Sequence, residues 1–205
     1  MMLTGRENKL FLGFKYQGRK NMEKTSPVYI NLHTQPNLLL SGSIRSGKSQ
    51  TLLLYVQQLI YKRQNIGIWI GDLKNSGIFT EVKRAQNTHY AVGNDIEIMV
   101  DEYYQLFCDV RDGIKEVEEN QILILDEYTA WIEAVGMQDK EKKYKYKNMI
   151  DTLLTMGRDV RGVTFNVIIA VQRQDKALFS REAMNNFMEV AISRYIEGKG
   201  PIIFN

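Results

Sequence analysis

Runs of consecutive apolar residues alternate along this chain with segments in which apolar residues recur at helical spacing. The apolar runs predict strands that are buried on both faces, since neither face of such a run is polar. They lie at residues 36–40, 66–70 and 122–125, and β-rich runs at 90–92, 163–171 and 189–195 predict three further strands. Helical spacing follows the first run and returns after Asp95, which is expected to cap a helix that ends near Gly113. The alternation predicts an α/β fold with a doubly wound, mostly parallel sheet.

Two β-like runs precede this core. Residues 10–16 and 27–32 have the composition of strands, and the segment at 18–26 between them is polar. Two such runs joined by a polar segment predict a β-hairpin. We therefore expect a single domain over residues 1–205, with an N-terminal hairpin extension at 1–34 and the main core at 35–205.

The composition limits the compartments and partners of the protein. Its 205 residues are 44% hydrophobic and 25% charged, which is typical of a folded globular domain. The net charge of +3 permits a polyanionic partner without requiring one. A single cysteine, Cys108, argues against a disulfide framework and indicates the reducing cytoplasm. No apolar stretch approaches the roughly 20 residues that span a bilayer, so we expect no membrane span.

Residues 42–49 match the phosphate-binding pattern G-x-x-x-x-G-K-[ST] at every fixed position. A predicted strand precedes the motif and a predicted helix follows it, which is the context that a P-loop requires. Backbone amides of such a loop surround phosphates, and the positive end of the helix adds to their field. Lys48 is expected to reach the β- and γ-phosphates, and the Ser49 hydroxyl to bind Mg²⁺. The residues expected to hold the nucleotide are Gly42, Ser43, Ile44, Arg45, Ser46, Gly47, Lys48, Ser49 and Gln50.

The apolar run at 122–125 ends in two carboxylates, Asp126 and Glu127. Such a strand end is common by itself, but after a P-loop it predicts a catalytic pair. Asp126 is expected to hold Mg²⁺ through its water shell, and Glu127 to orient and deprotonate an attacking water. The chain has no Asn-Lys-x-Asp motif for reading guanine, so the predicted reaction is the hydrolysis of ATP.

Three further features have more than one interpretation. Gln172 follows the strand at 163–171 and is expected beside the Asp126 strand, where it could sense the γ-phosphate. Arg158, with Arg161 behind it, could be an arginine finger for a neighbouring subunit or form a surface ion pair. The basic, tyrosine-containing run at 140–147 could follow a phosphate backbone or be a solvated helix or loop face.

The order of these motifs resembles the FtsK/SpoIIIE–HerA superfamily of P-loop DNA translocases over residues 27–195. The resemblance is carried by residues 27–32, Gly71-Asp72-Leu73-Lys74, Leu125-Asp126-Glu127-Tyr128, Gly157-Arg158 and Asn186-Phe187. Its most specific feature is the strand ending Ala170-Val171-Gln172-Arg173. Two departures are the stretch at 157–162, which is one residue longer than the family's usual form, and Gln174 in place of a proline.

This resemblance implies a RecA-like P-loop ATPase of the ASCE type that forms a homo-oligomeric ring, usually a hexamer, around double-stranded DNA. By match to the family's motifs, Lys48, Ser49 and Asp126 would bind nucleotide and metal. Glu127 would be the catalytic base, Gln172 the sensor and Arg158 the finger supplied in trans. A motor domain of this length resembles those of mobile elements and viruses, which act in conjugation or genome packaging.

Two other classes of function remain open. A nucleotide-gated switch that docks a relaxase, a replication protein or a capsid protein would turn over slowly and ignore DNA. A small-metabolite kinase would need a substrate-binding lid, and no such lid is visible in the sequence. The acidic pair and Gln172 suit hydrolysis better than phosphoryl transfer to a metabolite.

Overall fold

The strands join into one sheet, and its central strands form where the sequence is apolar on both faces. The computed structural model describes residues 9–15, 26–31, 37–62, 66–172, 178–196 and 200–204. Its strands are β1 Lys9–Lys15, β2 Pro27–Asn31, β3 Asn37–Ser41, β4 Ile66–Asp72, β5 Thr88–Val92, β6 Asn120–Asp126, β7 Phe165–Val171, β8 Phe187–Ile196 and β9 Gly200–Phe204. Its helices are α1 Lys48–Lys62, α2 Asp95–Arg111, α3 Tyr128–Gln138, α4 Lys140–Met156 and α5 Arg181–Met184. The order across the sheet is β2-β1-β9-β8-β3-β7-β6-β4-β5.

The centre of the sheet is parallel and is covered by helices on both faces. Every pairing from β8 through β3, β7, β6 and β4 to β5 is parallel. Neighbouring residues of β7 point to opposite cores: Val167 and Ile169 pack with α2, α3 and α4, whereas Ile168 packs on the side of α1. The predicted doubly wound, mostly parallel α/β fold is confirmed.

The predicted N-terminal hairpin is also confirmed. β1 and β2 pair antiparallel, and β1 continues the main sheet through β9. Helix α1 anchors the hairpin, because the Gln58 side chain accepts from the Phe11 N–H at 2.9 Å and donates to the Phe11 carbonyl at 3.0 Å. The Tyr55 hydroxyl donates to the Leu12 carbonyl at 2.7 Å. The hairpin is thus tied to the helix that follows the P-loop.

Some sequence predictions about element ends were wrong. Asp95 is the first residue of α2 and not its cap; Asn94 precedes the helix and its side chain makes no capping hydrogen bond. The strand at 189–195 does not close the domain, because β9 pairs antiparallel with β8. A Gly200-Pro201 start is typical of a turn, which is why the pattern did not predict β9.

The basic run at 140–147 forms the first two turns of α4. Three of its lysines pair with carboxylates of α2 and α3 at 2.7 to 2.9 Å: Lys142 with Glu97, Lys143 with Glu133 and Lys145 with Asp101. Tyr146 is buried in the core between these helices. The structure therefore favours a packed helix face over a segment free to follow a phosphate backbone. None of the helices in the described part of the chain combines the length and apolar character of a membrane span.

Gly157 marks a close backbone approach between α4 and β7. Its N–H donates to the Leu153 carbonyl at 2.8 Å, and its own carbonyl accepts from the Phe165 N–H at 2.7 Å. A Cβ at this position would collide with the carbonyl oxygens of Leu153 and Phe165. We expect Gly157→Ala to lower the free energy of unfolding by about 1–3 kcal/mol, because the backbone must shift. Urea denaturation measures this loss.

The matched control is Gly136→Ala in α3. A Cβ there would meet only the side chain of Lys143, which can move aside. Alanine also favours the helix by up to about 1 kcal/mol over glycine. The control should be as stable as the unmodified protein or more so, and a loss equal to that of Gly157→Ala would contradict the explanation.

Candidate nucleotide-phosphate site

The predicted P-loop connects β3 to α1 and folds back on itself. Arg45 and Gly47 have positive φ angles of 66° and 93°. A side chain at Gly42 would collide with the Ser46 hydroxyl, which is buried without a hydrogen-bond partner among the described residues. The loop therefore leaves a small polar cradle. The side chains of Ser43, Ile44, Arg45 and Gln50 are exposed around it.

Lys48, the first residue of α1, is buried inside this loop. Its Nζ donates to the Gly42 carbonyl at 2.9 Å and to the Ser43 carbonyl at 3.3 Å. Neutral carbonyls are weaker partners for an ammonium group than charged phosphate oxygens. The loop thus holds a cation ready to exchange these carbonyls for phosphate.

Ser49 and Asp126 form the contact between the P-loop helix and β6. The Ser49 hydroxyl donates to Asp126 Oδ2 at 2.6 Å, and Asp126 Oδ1 is buried without a hydrogen-bond partner among the described residues. Burial raises the pKa of Asp126; the Ser49 hydrogen bond opposes this shift, and the charges of Glu127 and Asp72 add to it. An unpaired carboxylate oxygen beside a hydroxyl fits a magnesium ion, which prefers oxygen ligands.

Glu127 lies between β6 and α3 in a left-handed conformation, with φ 57° and ψ 40°. Its Oε1 accepts from Lys74 Nζ at 2.9 Å, and its Oε2 accepts from Gln172 Nε2 at 2.9 Å. Burial alone would raise the pKa of Glu127, but the hydrogen bonds from Lys74 and Gln172 and the charges of Lys74 and Lys48 outweigh it and lower the pKa. The carboxylate is therefore held in its charged form.

Gln172 reaches Glu127 because β7 lies between β3 and β6. This position matches the expectation that Gln172 stands beside the Asp126 strand. The next residue of the strand-end motif, Arg173, lies outside the described residues. Gln172 is exposed at this edge of the sheet.

Sequence reasoning placed Gly71-Asp72-Leu73-Lys74 at the carboxyl end of a buried strand and matched it to the family, but it assigned none of these residues to the site. Asp72 ends β4 directly beside Asp126 of β6, and it is buried. It accepts hydrogen bonds from the Ser76 N–H at 3.0 Å, and from the hydroxyls of Ser76 and Tyr90 at 3.1 Å. Asp72 thereby fixes the turn from which Lys74 extends to Glu127. The available signal was a buried strand ending in charged residues.

Arg158 and Arg161 lie at the other end of β7. Their turn is closed by a bridge between Val160 and Val163, and the Arg161 guanidinium packs against Gly113. The seven residues of β7 separate this turn from Gln172, which is roughly 20 Å at about 3.3 Å per residue. Neither arginine reaches the P-loop of its own chain.

Solved structures of several ATPases share the fold of this chain. The pCW3 conjugation coupling protein TcpA, solved with ATPγS, matches with a TM-score of 0.66 and 20% identity over 92% of this chain and 55% of its own. The cytoplasmic domain of the Thermomonospora curvata type VII secretion ATPase EccC matches at 0.67 and 15% identity, over 94% of this chain and 24% of its own. EssC (ATPases 2 and 3) from Geobacillus thermodenitrificans gives 0.61 and 15% identity, over 94% and 38%. No protein-family model and no curated protein sequence matches.

The chain therefore has the fold of the solved ATPases TcpA, EccC and EssC. This confirms the fold that the sequence resemblance implied. The chain spans about half of TcpA, at 55%, and smaller shares of the EccC and EssC chains. At 20% identity or less, the likeness describes the arrangement of strands and helices, and the chemistry has to be argued from the site.

The raised pKa of Asp126 predicts a cost in stability. Because the pKa lies above its ordinary value of 3.8, the folded state holds this proton more tightly than the unfolded chain does. Stability is therefore lost as the pH rises through the folded-state pKa. In EDTA at about pH 7, Asp126→Asn should have a higher melting temperature than the unmodified protein, and the difference should shrink towards about pH 4. Equal melting temperatures across this range would contradict the prediction.

Proposed function

We propose that the protein hydrolyses ATP with Mg²⁺ and uses the energy to translocate double-stranded DNA. The observation that carries the hydrolysis is the geometry at the end of β6. Asp126 contacts Ser49 of the P-loop helix at 2.6 Å, while the adjacent Glu127 is bound by Gln172 at 2.9 Å. In this proposal Asp126 would be the metal carboxylate and Glu127 the base, side by side next to the P-loop. TcpA was solved with ATPγS, which supports ATP as the nucleotide.

Each residue has a distinct task in this proposal. Lys48 would exchange the Gly42 and Ser43 carbonyls for phosphate oxygens. Bound Mg²⁺, held by Ser49 and Asp126, would neutralise charge on the β- and γ-phosphates. Glu127 would accept a proton from the water that attacks the γ-phosphorus. Gln172, through its hydrogen bond to Glu127, would link the base to the presence of the γ-phosphate.

The assembly we propose is a homo-oligomeric ring, hexameric as the family resemblance implies. Arg158 is exposed and lies roughly 20 Å from Gln172 along β7, so as a finger it would serve the nucleotide of a neighbouring subunit. A ring would bring the two together and surround double-stranded DNA. TcpA is a conjugation coupling protein, which supports DNA transfer as the process. The cytoplasm, where Cys108 would stay reduced, is the expected location.

The catalytic assignment predicts a separation of binding from turnover. Glu127→Gln removes the base but keeps the size of the side chain, so ATP turnover should fall by about 100-fold or more while ATP still binds. Lys48→Ala removes the buried cation and should abolish binding itself. Phosphate release measures turnover, and titration with a fluorescent ATP analogue measures binding. Normal turnover by Glu127→Gln would exclude Glu127 as the base.

The coupling to DNA is tested by ATP turnover with and without linear double-stranded DNA, at low and moderate salt. A translocase should be stimulated by DNA, and the stimulation should fade as salt rises, because phosphate contacts release counterions. A slow rate that ignores DNA at every salt concentration would contradict translocation. It would leave the ATPase assignment intact.

A nucleotide-gated switch that docks a relaxase, a replication protein or a capsid protein is the second candidate. The ion pairs on α4 favour it, since they neutralise three lysines that were suited to a phosphate backbone. In addition, EccC (ATPases 2 and 3) has been solved in complex with a signal sequence peptide. Turnover that responds to a protein partner and not to DNA would favour this candidate.

A further inference from the structure

Lys74 binds Glu127, the proposed catalytic base, from the strand next to β6 that is farther from the P-loop. Its Nζ lies 2.9 Å from Glu127 Oε1, and Gln172 Nε2 lies 2.9 Å from Oε2. Gln172 follows β7, which lies between β6 and the P-loop strand β3, whereas Lys74 follows β4 on the opposite side of β6. The carboxylate is therefore held from two sides, and Lys74 draws one oxygen towards β4.

The backbone leaves the Glu127 side chain dependent on these two partners. Glu127 is the residue before α3, and its side chain makes no capping hydrogen bond to that helix. Its left-handed conformation costs about 1–2 kcal/mol for a residue with a Cβ. The orientation of the carboxylate is thus set by contacts with other strands and not by its own helix.

Lys74 is built to hold and release this contact. Its turn is fixed at the base by the buried Asp72, which accepts three hydrogen bonds from Ser76 and Tyr90. Its side chain is 58% exposed, whereas that of Glu127 is only 11% exposed. The ammonium group can therefore leave Glu127 without any change in the turn.

We propose that Lys74 is a positioning residue that restrains Glu127, so that only molecules in which this ion pair is open hydrolyse ATP. The inference rests on the proposed role of Glu127 as the base. Turnover then equals the rate of the open form multiplied by its fraction. Ion pairs with one exposed partner are weak, so the closed form exceeds the open one by only about two- to fivefold.

The test replaces the ammonium group by an apolar end of similar length. Lys74→Met should raise kcat by about three- to sixfold, because the open fraction rises from between about a third and a sixth to one, and it should leave the affinity for ATP unchanged. Lys74→Arg restores the positive charge and should return the rate to that of the unmodified protein. An elevated rate in Lys74→Arg would show that charge is not what restrains Glu127.

Lys142→Met is the matched control. The Lys142–Glu97 pair has the same N–O distance of 2.9 Å, with side chains 52% and 13% exposed, but it joins α4 to α2 away from the site. This variant should turn over ATP at the normal rate. An equal rise in both methionine variants would mean that loosening of the fold causes it, and the proposal would fall.

A double variant, Lys74→Met with Glu127→Gln, shows whether the extra turnover passes through Glu127. It should be as inactive as Glu127→Gln alone, and retained activity would overturn the restraint. If kcat of Lys74→Met is unchanged or lower, the restraint is wrong although ATP hydrolysis through Glu127 stands. If Glu127→Gln alone turns over normally, it is the proposed function that fails.

Discussion

The position of β7 between β3 and β6 is the constraint on which the site depends. The registers align Leu39 of β3, Ile169 of β7 and Leu125 of β6 in one row, so the three strands end at the same level. The P-loop after β3 and the carboxylates after β6 are therefore about 10 Å apart at one edge, with Gln172 between them. A shift of one residue would turn the buried side chains of each strand to the wrong face, so packing on both faces fixes this register.

The left-handed residue at the end of β6 is held by packing on either side of it. β6 is buried before Glu127, and Tyr128, Trp131 and Ile132 of α3 are buried after it. The Tyr128 ring also stacks on Phe179, with centroids 5.4 Å apart. Burial of several large side chains stabilises the fold by more than the roughly 1–2 kcal/mol that a left-handed backbone costs. The packing on either side of Glu127 thus offsets the strain at this residue.

Local patterns predicted the parts of this protein that depend on local sequence. The apolar runs gave the parallel strands, the glycine motif gave the loop, and the acidic pair after residues 122–125 gave Asp126 and Glu127. The contact of Lys74 with Glu127 depends on β4 lying next to β6, although 47 residues separate the two strands along the chain. Periodicity does not specify strand order. The basic run of α4 was visible in the sequence because its lysines are close together along the chain. Their partners on α2 were not, because those carboxylates lie more than 40 residues away.

The two α2 carboxylates that pair with lysines of α4 also limit how those lysines could bind DNA. Binding a phosphate at Lys142 or Lys145 would first require an ion pair to break, and it would leave Glu97 or Asp101 facing a like charge. A lysine that already has an anionic partner releases fewer counterions when DNA binds, and it therefore contributes less to affinity. The net charge of +3 is small, so the charge must be concentrated to act on a polyanion. In the ring that we propose, contacts with DNA would therefore have to come mainly from basic residues other than Lys142 and Lys145, and the salt dependence of DNA binding would report their number.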